Sequence, residues 1–310
     1  MAQPAIAELT GLRTKWINVT ATRKKEELAF LKKRFNFLDP DLEDCPPPLQ
    51  RPKLIERPDY VFMILLFPVF DRTTRHIRPV EVDFFITKNT IVTVHEEAAG
   101  SLEKIFQELQ KDKRLRQKTL AAGTASVLHL VLDAMLDDCF PMLLHIAHDL
   151  DAIEERMTEV HDRKAIHEIF RLKTNIVNFK KSMQPQKNVI RKLVATAPRF
   201  FKTEHLAEYF EHLVEHTKEI WDELETSSEA LEAIEDTHIS LLTFRTNDIV
   251  RTLTIFSVIV FPLTLMAGIF GMNTVHAPIV GQPSDFWIII GLMAAATCFM
   301  LAYFKSKRWI

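Results

Sequence analysis

The sequence predicts an α+β membrane protein, with an N-terminal cytosolic α/β domain, a long helical stalk and two transmembrane helices near the C-terminus. Three observations carry this. β-branched and aromatic runs separated by polar turns occupy the first third. From about Ala125 the pattern becomes helical and stays so. Residues 253–272 and 286–304 are uncharged apolar runs, each long enough to cross a hydrocarbon core of about 30 Å as a helix.

Composition narrows the class. The chain has 310 residues and a formal net charge of -2, which gives no argument for a nucleic-acid partner. Gly is scarce, at 7, which disfavours a turn-rich all-β protein. Cys45, Cys139 and Cys298 fit no metal spacing and read as reduced thiols. Residues 1–10 lack a signal-peptide pattern, so the large N-terminal part is expected to stay in the cytosol.

The elements follow in order. Residues 15–20 read as a short strand, and residues 23–35 as a helix with a basic outer face. Pro46, Pro47 and Pro48 break the chain. Residues 60–70, 80–86 and 90–94 read as strands, with a turn at Asp71, Arg72, Thr73 and Thr74 between the first two. Ser101 is placed to cap a helix running to about Arg114. This α/β unit is assigned to residues 1–122.

Helical arms are assigned to 123–200: one helix to about Val160, a second from Arg163 to about Ala195. Pro185 is expected to kink the second, and Pro198 to lie in the break after it. A third helix runs from Thr203 through a stalk, 201–252, into the first span, 253–272. A helix that long needs neighbours, so self-association is expected. Residues 273–285 form a short loop, 286–304 the second span and 305–310 a basic tail.

The flanks orient the spans. Arg245, Arg251, Lys305, Lys307 and Arg308 lie at the outer ends of the pair, whereas 273–285 holds no Lys or Arg. The positive-inside rule puts both termini in the cytosol and the loop outside a cell (inner or plasma) membrane. Trp287, Tyr303 and Trp309 suit interfacial anchors. Charge is segregated upstream: residues 163–192 hold nine Lys or Arg and one acid, and 208–236 hold eleven Asp or Glu and one base. The acidic stretch is either a solvated face beside a basic neighbour or a negative field that holds cations near a pore mouth.

Gly271-Met272-Asn273 stands at the outer end of the first span. With Asn247, Phe261-Pro262-Leu263-Thr264 and the basic aromatic tail, the sequence resembles the CorA family of magnesium/divalent-cation transporters. Upstream runs agree: Trp16-Ile17-Asn18, Leu42-Glu43-Asp44, Gln50-Arg51-Pro52-Lys53, Tyr60-Val61-Phe62 and Leu132 to Asp138.

The resemblance implies a funnel-shaped homopentamer in membrane lipid whose first span lines the pore. It implies a channel moving Mg²⁺, with Co²⁺ and Ni²⁺ as secondary ions, rather than an enzyme. Mg²⁺ would be both transported and regulatory ion, and no cofactor is implied. Gly271, Met272 and Asn273 would form the filter. Mg²⁺ sheds water reluctantly, so amide and carbonyl oxygens would replace its outer waters. Helical spacing sets Thr264, Phe261, Ser257, Leu253, Val250 and Asn247 on one face, and Gly268, which lets helices approach closely, is counted with the pore-lining residues. Val250 and Leu253 correspond to a hydrophobic gate that stops ions by dewetting. Plain helix packing is the alternative for the glycines and apolar positions. Phe261 replaces the methionine usual there.

For regulation, the resemblance implies cytosolic Mg²⁺ bound between subunits at Asp44. Its usual acidic partner falls on His212, flanked by Glu208, Glu211 and Glu215. Histidine suits Zn²⁺, Ni²⁺ or Co²⁺ better than Mg²⁺. His212 and His216, four apart, and His145 and His148, three apart, have spacings that can bind such a metal. The loop holds only His276 and Asp285 as titratable groups. Movement of Zn²⁺ or Co²⁺ and a non-conducting membrane-anchored scaffold are the competing readings.

Overall fold

The structure is a computed structural model that describes residues 6–20, 25–96, 99–157, 163–201, 206–272, 279–281 and 283–309. The chain divides into two compact units, Met1–Ile234 and Glu235–Ile310.

The first unit opens with β1 (Ile6–Thr10) and β2 (Lys15–Thr20), followed by α1 (Lys25–Arg34) and α2 (Asp39–Glu43). Then come β3 (Lys53–Glu56), β4 (Val61–Asp71), β5 (His76–Ile86) and β6 (Thr90–His95). They form one six-stranded sheet in the order β1-β2-β6-β5-β4-β3. Only β2 and β6 pair in parallel, Lys15 opposite Thr90 through Thr20 opposite His95. β4 and β5 are a long hairpin in register from Val61 opposite Ile86 to Asp71 opposite His76. Asp71 stabilises its turn by accepting the Thr73 N–H at 2.8 Å.

The central strands are apolar almost without interruption because both faces are covered. Phe62, Ile64, Phe85, Val92 and Ile17 face one side and pack with Leu31 of α1, with Phe37 ahead of α2 and with Leu42 within it. Met63 and Leu65 alternate to the other side of β4 and are equally buried. A buried hydrogen-bond chain holds β2 to β6. Trp16 donates to Thr93 at 3.0 Å, Thr93 donates to Asn18 at 2.6 Å, and His95 Nε2 lies 2.9 Å from the Asn18 oxygen.

The helices α3 (Gly100–Lys111), α4 (Lys113–Ala121), α5 (Thr124–Asp137), α6 (Cys139–Met157) and α7 (Arg163–Phe200) follow. Three sequence expectations are corrected here. The helix expected to Arg114 is two, because Asp112 accepts the N–H groups of Arg114 and Leu115 at 2.7 and 3.0 Å and starts α4. Ser101 does not cap α3 with its hydroxyl. Its backbone N–H donates to Asp138 at 3.0 Å, and a Cβ on Gly100 would stand 2.9 Å from that carboxylate. The helix expected over 125–160 breaks between Asp137 and Cys139. Pro141 has no N–H for the Asp137 carbonyl, and it is accommodated in the first turn of α6 instead.

α7 runs unbroken through Pro185, and Pro198 lies in its last turn rather than beyond its end. It lies along β3, β4 and β5 and is bonded to them by side chains. Asn175 accepts the Ile77 N–H at 2.9 Å and donates to the Arg75 carbonyl at 3.1 Å, and Asn178 donates to the Ile77 carbonyl at 3.0 Å. Gln186, next to Pro185, donates to the Leu66 carbonyl. Pro185 withholds the donor for the Lys181 carbonyl, while these side-chain bonds hold α7 to the sheet on both sides of it. α1 is described from Lys25, and β1, β3 and α2 carry too little periodicity for their length to be expected from sequence.

α8 (Leu206–Phe270) is a single helix of 65 residues that belongs to both units. In the second unit its apolar part is joined by α9 (Asp285–Ser306). α9 begins one residue before and ends two residues after the expected span. α8 ends two residues before the expected 272. Both helices are long and apolar enough to cross a membrane, and their most apolar windows bury none of their residues within the chain.

Candidate functional site

From Thr252 to Gly271, α8 carries no Asp, Glu, Lys or Arg. Asn247, Val250, Leu253, Phe261, Thr264 and Gly268 are exposed, and Ser257 is half-buried. Their spacing of three and four residues puts them on one side of the helix. The Thr264 hydroxyl donates to the Val260 carbonyl at 2.9 Å, so its oxygen retains acceptor capacity toward an ion's water. Phe261 is 69% exposed, the largest projecting side chain of this row.

At the end of α8, the Gly271 N–H donates to the Ala267 carbonyl at 2.9 Å and the Met272 N–H to the Ile269 carbonyl at 3.2 Å. A Cβ on Gly271 would sit 2.9 Å from the Ala267 oxygen, so the closing turn leaves no room for a side chain there. Asn273 and His276 lie outside the described residues. Asp285 turns back on its own segment, accepting the N–H groups of Gly281 at 3.1 Å and Phe286 at 2.6 Å. At the opposite end, Arg251 donates to the Arg308 carbonyl, which ties the base of the span to the basic tail. Trp309 stacks on Phe304, with ring centroids 5.8 Å apart.

The regulatory candidates lie in the first unit. Asp44 follows α2 and its Oδ2 is 2.5 Å from Lys53 Nζ on β3. Asp41, one turn earlier, is buried and held by Arg57 at 2.6 and 3.0 Å and by the Tyr60 hydroxyl at 2.6 Å. Burial opposes its ionisation, but the hydrogen bonds from Arg57 and Tyr60 outweigh that and hold its carboxyl below the usual range. Two further acids lie beside Asp44. Burial first, and then the Asp44 charge against a bond from the Gln50 N–H, pushes Glu81 up to about 7. Burial and the Glu81 charge raise Asp83 well above its ordinary value.

On α8, Glu211 and Glu215 are exposed, and the side chain of Glu208 lies outside the described residues. His212 is directed at its own chain: its Nδ1 is 3.6 Å from Asp133 of α5. His216 approaches the same oxygen at 3.6 Å. Asp133 was not singled out from sequence as a ligand. The available signal was the recurrence of His129, Asp133 and Asp137 at four-residue intervals on one helix.

A family model described as "CorA-like Mg2+ transporter protein" matches residues 12–308. The cobalt/magnesium transport protein CorA of Thermotoga maritima is 27% identical over 295 residues, covering 95% of this chain and 83% of that protein. The protein of the same name from Methanocaldococcus jannaschii is 25% identical, covering 100% of this chain and 96% of its own. The complete structure of that M. jannaschii magnesium transporter superposes with a TM-score of 0.84 at 23% identity, covering 96% of this chain and 92% of the other. A match across 12–308, over both the sheet unit and the apolar helices, places this chain in the CorA-like Mg²⁺ transporter family.

Proposed function

We propose that this chain assembles with copies of itself into a homopentameric channel that carries hydrated Mg²⁺, and secondarily Co²⁺ and Ni²⁺, into the cytosol down its electrochemical gradient. The observation that carries the reading is the uncharged row on α8, which ends at Gly271-Met272-Asn273. Among the described residues the row is exposed apart from half-buried Ser257, and the apolar windows of α8 and α9 bury none of their residues. Lipid accounts for the apolar sides and neighbouring copies for the row itself.

In this reading the ion keeps its inner water. Asn273 amide oxygens and backbone carbonyls at Gly271 replace outer waters, a task that neutral oxygens perform without the binding energy of a carboxylate. Thr264 and Asn247 make further water contacts, and Val250 with Leu253 close the path by excluding water. The voltage supplies the drive: two charges at about 2.3 kcal/mol each per 100 mV make roughly 4.6 kcal/mol. Both termini face the cytosol, so the Asp44 region senses internal Mg²⁺. Support for the orientation is the basic pair Lys305 and Lys307 against a loop free of Lys and Arg.

The test is uptake of Mg²⁺ into liposomes containing the purified protein under an inside-negative potential. The wild type takes up Mg²⁺ and Asn273→Ala does not. Uptake that survives the substitution would remove Asn273 from the filter, and a wild type that moves no divalent ion would end the channel reading.

A further inference from the structure

At the end of the α8–α9 pair opposite Gly271, bases gather. Residues 245–251 and 303–309 hold five Lys or Arg against one acid, Asp248. Lys305, Lys307 and Arg308 are exposed, and Arg251 is half-buried. The tail that carries three of them folds back on α9. Arg308 takes a left-handed φ of 57°, and beyond it the Trp309 N–H donates to the Phe304 carbonyl at 2.9 Å. The Trp309 ring stacks on that of buried Phe304. Arg251 reaches across to donate to the Arg308 carbonyl, a contact between residues 57 apart. The base of the first span is thus held beside the bases of the tail.

These charges are left without counter-charges. Among the described residues, none of Arg251, Lys305, Lys307 and Arg308 is ion-paired. Arg251 is only partly used, since its Nε has no hydrogen-bond partner. A guanidinium presents its donors as a planar fork that matches the oxygens of a phosphate. The surroundings are apolar. The windows of α8 and α9 that run on from this end bury none of their residues within the chain. Tyr303 and Trp309, 55% and 42% exposed, flank the bases. Rings of this type settle at the headgroup level of a bilayer, which sets the bases at the depth of lipid phosphates.

We propose that Arg251, Lys305, Lys307 and Arg308 form a binding site for the phosphodiester headgroup of an anionic phospholipid, whose acyl chains lie along the apolar sides of α8 and α9. Charge complementarity selects the lipid. Several bases just outside a span attract a headgroup of net negative charge, whereas a zwitterionic headgroup brings an ammonium that they repel. Free phosphate offers the same oxygens but no acyl chains, so it gains nothing from the apolar helix sides. Bound lipid would bridge Arg251 and the tail and so reinforce the contact between the base of α8 and the end of α9. The site stands whether or not the protein conducts.

Lipid titration of the full-length protein in neutral detergent, read by native mass spectrometry, tests the proposal. Phosphatidylglycerol and phosphatidylcholine of matched chains are the probes. The wild type binds phosphatidylglycerol at least about tenfold more tightly than phosphatidylcholine. The double variant Arg251→Gln/Arg308→Gln loses that preference. Lys305→Gln/Lys307→Gln, at two exposed side chains whose loss leaves the packing of Phe304 and Trp309 intact, weakens it as well. Lys181→Gln/Arg191→Gln removes as much charge from exposed positions on α7 and keeps it. A large molar excess of inorganic phosphate leaves phosphatidylglycerol bound. Equal binding of the two lipids by the wild type, full preference in both tail variants, or equal loss in the α7 variant would overturn the site. Displacement by inorganic phosphate would assign the bases to free phosphate and overturn the lipid.

Discussion

Lys53 on β3 holds its ammonium 2.5 Å from the Asp44 carboxylate just after α2. A regulatory cation that reaches Asp44 must therefore displace, or share the carboxylate with, a positive charge already there. Under the proposed gating, Asp44→Ala weakens inhibition of flux by internal Mg²⁺, whereas Lys53→Gln strengthens it several-fold by removing the competitor. Liposome flux measured against internal Mg²⁺ concentration distinguishes the two. Identical inhibition curves for all three proteins would exclude Asp44 from regulation.

The apolar pair Val250 and Leu253, 55% and 63% exposed in one chain, sits one and two turns beyond Asn247 on the same row. If it closes the path by dewetting, a polar group of similar size wets it. Leu253→Asn is expected to leave a residual flux at internal Mg²⁺ concentrations that shut the wild type. Stopped-flow uptake at saturating internal Mg²⁺ measures this, and a variant that shuts as fully as the wild type would assign Leu253 to packing.

Asp41 makes the opposite kind of contribution from its neighbours. Its carboxyl is held below its unfolded value, so the Arg57 and Tyr60 bonds stabilise the fold above the ordinary Asp range near pH 4 and are lost as pH falls through the depressed value. Asp41→Asn should cost about 1–3 kcal/mol at neutral pH. Denaturant unfolding of the two proteins should begin to converge only as pH falls below about 4 and meet below the depressed Asp41 value; a penalty unchanged with pH would mean that packing, not charge, is lost.

Glu81 reverses the sign. Its pKa is raised to about 7 chiefly by burial. The folded protein therefore binds a proton that the unfolded chain has released, and stability falls as pH rises from about 4 to about 7. Glu81→Gln removes that penalty. After allowance for partial solvent access, it should gain roughly 1–2 kcal/mol above pH 7 and little below pH 4. A melting temperature that rises equally at both pH values would disconnect the gain from ionisation.

Much of this was legible in sequence where the signal is local. The run 15–20 is a strand to the residue. The hairpin follows from its β-branched and aromatic runs and the polar turn between them, although its second strand begins at His76, four residues before the expected Val80; the uncharged spans and the row on α8 follow from length and helical spacing. The helix breaks were not legible in the same way. A break precedes Pro141, whereas Pro185 sits inside α7, which packs on β4 with Gln186 bonding the Leu66 carbonyl, a contact between residues 120 apart.

The sequence by itself determined that the chain has a sheet unit, long helices and two apolar runs, the first ending at Gly271-Met272-Asn273, since each rests on the periodicity and solvent preference of neighbouring residues. Only the tertiary structure decided what His212 faces. The resemblance implied Asp44 of a neighbouring copy as its partner; within its own chain it meets Asp133, some eighty positions earlier. Which distant helices lie side by side depends on the packing of the whole unit, and no stretch of sequence carries that information alone.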